Sequence, residues 1–182
     1  MNCVRTLTGL LITVSLTACG DPYGYRWTQI QSHAAIYSLA RPEIGAPSGF
    51  DFVTGQTVRI EQATATGQWD VALDTQNGQL VLLPPGALGI RSQARLLMLP
   101  DTTYELVREA PADTARYVRD QGLPVQAGAV YVVRTHEEFS FGVSCFHYGR
   151  FTPVEINTLV GAIRFLYDVN PFCSDRRLIP PP

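Results

Sequence analysis

The chain contains no lysine; its 14 basic residues are all arginines, spread along 182 residues. Against 16 acidic residues they leave a formal charge of −2. A scattered, slightly acidic balance lacks the concentrated positive footprint of a nucleic-acid-binding protein. No apolar run approaches the ~20 residues that a membrane-spanning helix requires. Cysteine is scarce, with four in all, and none is spaced C-x-x-C, which argues against a dithiol redox centre or a zinc site. Gly142-Val143-Ser144-Cys145-Phe146 lacks the second glycine of a nucleophile elbow. Internal repeats, low-complexity runs and interdomain linkers are absent too. No catalytic residue and no metal-ligand set is assigned, and the chain is read as non-enzymatic.

What the sequence does have is an N-terminal address. Arg5 precedes an apolar stretch from Leu7 to Leu16, which ends in Leu16-Thr17-Ala18-Cys19. A charged start, a short apolar middle and a small-residue end read as a signal peptide over residues 1–18. The last four residues resemble the lipobox of bacterial lipoproteins, with Cys19 the residue that is acylated. An anchor of two or more acyl chains holds stably where one binds only marginally. Gly20 and Asp21 follow the cysteine. Without Asp directly after it, such lipoproteins usually continue to the outer membrane rather than stay at the inner one. Residues 19–26, with Pro22, Gly24 and two tyrosines, read as the lipidated cysteine and its tether. Residues 27–182 read as the folded domain.

Removal of residues 1–18 leaves 164 residues, enough for one domain with its own core. It also discards Cys3, and acylation consumes Cys19. The two thiols left, Cys145 and Cys173, have a single possible pairing in an oxidising compartment, and a disulfide between them is expected.

The domain reads as β. Thr57–Glu61 and Trp69–Leu73 alternate polar and apolar residues with the period of a half-buried strand. Asn77-Gly78 is a strong hairpin signal and precedes the Gln79–Leu83 run, which Pro84-Pro85-Gly86 ends. Arg95–Leu99, Ala129–Thr135, Ser144–Phe151 and Ala162–Tyr167 are further strand candidates, the last closing a hairpin over residues 157–161. In that final strand Ile163, Phe165 and Tyr167 share one face, and Arg164 and Asp168 take the other. Glu137-Glu138 opens a loop. Thr102–Ala110 is ambiguous, Asp113–Arg119 is open between helix and extended chain, and the Pro-rich tail to Pro182 should be extended. These elements predict an all-β, antiparallel, sandwich-like single domain.

Three stretches resemble the HmuY-like family of β-rich bacterial lipoproteins, whose best-known members bind haem. They are Phe50-Asp51-Phe52-Val53-Thr54-Gly55, Trp69-Asp70-Val71-Ala72-Leu73, and Tyr131-Val132-Val133-Arg134-Thr135, the last followed by Tyr148-Gly149-Arg150. Where the family usually has Tyr-Ala-Lys, this chain has Tyr-Gly-Arg. The resemblance implies the family fold and a surface or periplasmic lipoprotein; no haem-ligand position is carried over with it. As chemistry, Trp69 reads as a core plug, Asp70 as a backbone acceptor, and Asp51 and Thr54 as partners of a local turn at Gly55.

A haem site needs axial ligands converging on an apolar slot. The candidates are His33, His136 and His147, with Met98 the only methionine of the mature chain. Asp168, Asn170 and Asp175 carry oxygen donors of the kind Ca²⁺ takes, though Asx residues in a Pro-rich turn more often cap backbone. Arg176-Arg177 could pair with Asp168 or Asp175, or form a partner-binding patch. Two functions follow: an anchored, non-catalytic protein binding haem or another apolar ligand, or an interaction module of the envelope with a protein partner and no small ligand.

Overall fold

The computed structural model describes Trp27, residues 31–140 and residues 142–181; the signal peptide, lipobox and tether expected over residues 1–26 lie outside the described residues. Asn77 and Gly78, with φ of 51° and 78°, form the turn that their pairing predicts. They join β4 (Val71–Gln76) to β5 (Gln79–Leu83). With β2 (Gly49–Asp51), β3 (Gln56–Val58) and β7 (Leu123–Pro124) these build one antiparallel sheet in the order β3-β2-β4-β5-β7.

A second antiparallel sheet has the order β1-β12-β11-β8-β6. Its strands are β1 (Ser32–Tyr37), β6 (Arg95–Leu99), β8 (Val130–Arg134), β11 (Tyr148–Asn157) and β12 (Ala162–Val169). The two sheets pack face to face, an all-β sandwich. Between them lie Ile36, Phe50, Phe52, Val71, Leu73, Leu82, Leu96, Tyr131, Val133, Phe151, Ile163 and Phe165, all at 1% exposure or less. The alternation along β12 is met: Ile163, Phe165 and Tyr167 join this core and Arg164 is exposed.

Asp168, on the opposite face, is buried rather than solvated, because the outer face of the second sheet is covered as well. Val130, Val132, Leu97 and Tyr148 pack there against Tyr104, Val107, Ala110, Tyr117 and Leu178. The ambiguous 102–110 and 113–119 segments thus form this cover, each with a single 3-10 turn. The tail is strapped alongside through one bridge, Glu109 opposite Arg177, with Leu178 N–H donating to Arg108 O and Ala110 N–H to Arg176 O, and it bends at Leu178 and Ile179 rather than running extended.

Three further expectations change. Ser144–Phe151 is not one strand: β10 (Val143–Cys145) turns back on β9 (Glu138–Ser140) as a separate two-stranded ribbon, and β11 starts at Tyr148. Glu138 therefore opens a strand, not a loop. The strand expected over Thr57–Glu61 ends at Val58.

Candidate functional site

β8 leaves the sandwich at Arg134 and delivers His136 to the edge of the other sheet. There Asp70 waits, placed by Trp69, which is fully buried and packs with Ala72 and Leu83 on that sheet's outer side. Oδ1 of Asp70 accepts the His136 backbone N–H at 2.6 Å and lies 2.9 Å from the ring Nδ1. Oδ2 accepts the Phe52 N–H at 2.8 Å. Asp70 is thus the backbone acceptor expected, with an ion-pair partner that its sequence neighbours did not announce.

Asp51 completes a buried group in which one ligand atom from each of Asp51, Asp70 and His136 lies within 4.8 Å of the others. Its oxygens accept the Val53 N–H at 2.8 Å and the Thr54 hydroxyl at 2.6 Å, and Gly55 takes φ of 68°, the turn read from the sequence. A cation here would compete with all of these bonds, so the group is chemically a latch between sheets. Burial raises the Asp70 carboxyl above its ordinary range, against the pull of His136. Burial also disfavours the charged imidazole, but Asp70, with Asp51 and Glu138 farther out, outweighs it and His136 is raised. The pair holds its proton more tightly than free groups do.

His147 is tied elsewhere. Its ring Nδ1 donates to Asn170 O at 2.9 Å, its backbone N–H to the Thr135 hydroxyl, and its Nε2 lies 3.6 Å from Cys145 Sγ. Cys145 and Cys173 stand at disulfide distance, with Cα atoms 5.3 Å apart, so the pairing deduced by elimination is the one the fold supports. His33 is exposed on β1, and Met98 is half-buried on β6. These are the two outer strands of one five-stranded sheet, about 19 Å apart at four strand spacings. The four haem-ligand candidates therefore do not converge. Met98 lines a cleft with apolar walls.

That cleft, of about 590 Å³, is bounded by Met98, Leu99, Leu106 and Val107, with Arg108 and Arg116 among the residues lining it. The expected oxygen cluster is a set of caps. Asn170 Nδ2 donates to the carbonyls of Asp175 and Arg177, and its Oδ1 accepts the Phe172 N–H. Arg177 pairs with Asp175, and its guanidinium hydrogen bonds hold that carboxyl down at about 2, while Arg176 pairs with Glu109. Asp168 pairs with neither.

Asp168 is instead the partner of Arg150, its cross-strand neighbour. The buried guanidinium donates to the carbonyls of Tyr104 and Val107, sits 4.1 Å over the Tyr104 ring and lies 3.3 Å from Asp168 Oδ2, which also accepts the Tyr104 hydroxyl at 2.8 Å. Burial and then the Asp168 carboxylate push the Tyr104 hydroxyl well up. The departures at Gly149 and Arg150 gain a local reason. A Cβ at 149 would lie 2.9 Å from Asp168 O and 3.1 Å from a Val133 methyl, and the arginine fork reaches two carbonyls through Nη1 and the Asp168 carboxylate through Nη2, a spread that the single nitrogen of a lysine does not cover.

Among the described residues no helix is long and apolar enough to cross a membrane. No family model, curated protein or solved structure matches the chain.

Proposed function

We propose that the chain is a non-catalytic envelope lipoprotein, anchored through Cys19 and sorted to the outer membrane, whose β domain binds a small, largely apolar ligand with an anionic end. The observation that carries this is the cleft beside β6. Its volume lies within the range of small-molecule sites; Leu99, Leu106 and Val107 give apolar walls, Arg108 and Arg116 supply cations for a carboxylate or sulfonate, and of the two acids that also line it, Asp101 and Glu109, the second is paired with Arg176. The resemblance to HmuY-like lipoproteins, carried by the Phe50–Gly55, Trp69–Leu73 and Tyr131–Thr135 stretches, agrees with this reading. Haem belongs to the ligand class through its carboxylates and apolar ring. Both histidines are held through Nδ1, His136 by Asp70 and His147 by Asn170 O, which leaves each Nε2 open to a metal; neither histidine lines this cleft, where Met98 is the ligand candidate.

The test is titration of the purified mature protein with 8-anilinonaphthalene-1-sulfonate, read by fluorescence, and with haemin, read by the Soret band. Saturable binding lost in Arg116→Glu supports the cleft, and a Soret shift lost in Met98→Ala adds haem. No saturable binding of either probe at tens of micromolar removes the ligand reading.

One observation favours a protein partner instead. Leu159 and Val160, 97% and 52% exposed, sit on the β11–β12 turn, at the end of the sandwich away from where the chain enters. A photoreactive residue at 159 that crosslinks to one protein in intact cells, with no probe bound in the cleft, would select this alternative.

A further inference from the structure

The β9–β10 ribbon carries an exposed apolar side chain on each face. Phe139 is opposite Ser144, and Ser140 is opposite Val143, so Phe139 and Val143 point to opposite sides; they are 79% and 62% exposed. A ribbon that docks flat on a protein needs one apolar face. One that enters an apolar layer end-on needs both.

The ribbon's base, unlike its faces, is held firmly. Cys145 stands at disulfide distance from Cys173, Arg134 pairs with Glu137, the Ser144 hydroxyl donates to Glu137, and His136 is latched to Asp70. The ribbon is therefore a fixed projection of the sandwich.

Its position follows from where the chain enters. Trp27 packs edge-on against Phe172, the neighbour of Cys173, with ring centroids 6.5 Å apart. The start of β1 pairs with the end of β12, Ser32 opposite Tyr167, so entry, disulfide and ribbon share one end of the sandwich. Cys19 lies eight positions before Trp27, a stretch that fully extended spans at most ~29 Å. Acyl chains on Cys19 would thus tether the domain to the bilayer from this end.

We propose that the β9–β10 ribbon is a lipid-contacting finger that dips Phe139 and Val143 into the membrane interface and fixes the domain's orientation on the bilayer. The inference rests on the acylated-Cys19 reading. The dip is shallow: a two-stranded ribbon carries unpaired backbone groups on its outer edges, which cannot enter hydrocarbon, and exposed Glu137 and Glu138 keep its base in water. Insertion is driven by apolar transfer and does not depend on anionic lipid.

The experiment uses the full mature protein, produced with its signal sequence and purified with its acyl chains, in vesicles of phosphatidylethanolamine and phosphatidylglycerol. Mass spectrometry of the N-terminal peptide first reads acylation of Cys19. A benzophenone amino acid then replaces Phe139 or, as the control at the opposite end, Leu159; both positions are exposed, so neither exchange disturbs the core. The expected result is a phospholipid adduct at 139 and its loss at 159. An acylated protein with no lipid adduct at 139, or with equal adducts at both positions, overturns the finger and leaves the anchor standing. A crosslink from 139 to a second protein chain overturns it in favour of a protein contact. An unacylated Cys19 overturns both, and the first measurement tells the cases apart.

Discussion

Oδ1 of Asp70 receives both the backbone N–H and the ring nitrogen of His136, 2.6 and 2.9 Å away across 66 residues of chain. Through this one oxygen the end of β8 is fastened to the opposite sheet at the foot of the ribbon. Removing one member of a buried pair leaves the other charge uncompensated, at about 3–5 kcal/mol. Asp70→Ala should therefore lower the unfolding free energy in urea by about that much. A loss below ~1 kcal/mol would show that the latch is incidental.

The same pair sets a pH dependence. His136 is raised in the folded state, so its contribution to stability is complete below the unfolded imidazole value of about 6.5 and is lost as pH rises through the higher folded value. Thermal scans should show Tm falling across that interval in the wild type. His136→Phe should flatten this part of the profile, and an unchanged slope in that variant would remove His136 as the source.

On the outer face of the other sheet, Tyr104 hydroxyl and Arg150 meet at Asp168 and hold the 104–110 cover. Tyr104→Phe removes one donor to a buried carboxylate, which costs about 1–3 kcal/mol. Hydrogen exchange should speed up at the amides of residues 104–110 before it does in β4 and β5. Uniform acceleration across both sheets would mean that the cover is not a separate unit.

Gly149→Ala places a methyl 2.9 Å from a backbone oxygen and 3.1 and 3.2 Å from methyls of Val133 and Val169. Overpacking of this kind costs about 1–3 kcal/mol. A neutral result in chemical denaturation would show that β11 and β12 yield there at no cost.

Cys145 and Cys173 are 28 residues apart. In the loop-entropy model, closing a loop of that size contributes about 3–4 kcal/mol. The Cys145→Ser, Cys173→Ser double variant should lose that stability and also raise proteolysis within residues 138–145, where the ribbon's base would be released. Equal cleavage of the oxidised wild type would show that the bridge does not restrain the ribbon.

Much of this protein was written locally. An apolar run between turn signals gave β5 and period-two alternation gave β12, each within a residue or two, Asn77-Gly78 gave its hairpin because only residues tolerant of positive φ close it, and the Asp51 turn involves atoms three residues apart. The cysteine pairing followed from counting. Each of these rests on short-range geometry or elimination, which a single sequence carries. What tertiary structure alone decided is everything that depends on which distant surfaces meet. The run Val130-Tyr131-Val132-Val133 announces burial without naming its two covers. Asp168 falls opposite the core face of β12, and the 104–110 segment, 58 residues or more before it in the chain, is what buries it there. His136, weighed as a haem ligand, is bound by an aspartate in the other sheet, and Met98 and His33 end on opposite edges of one sheet. Side-chain alternation is fixed by the backbone's own repeat. The partner of a buried charge is fixed by strand order and sheet packing, which no local pattern records.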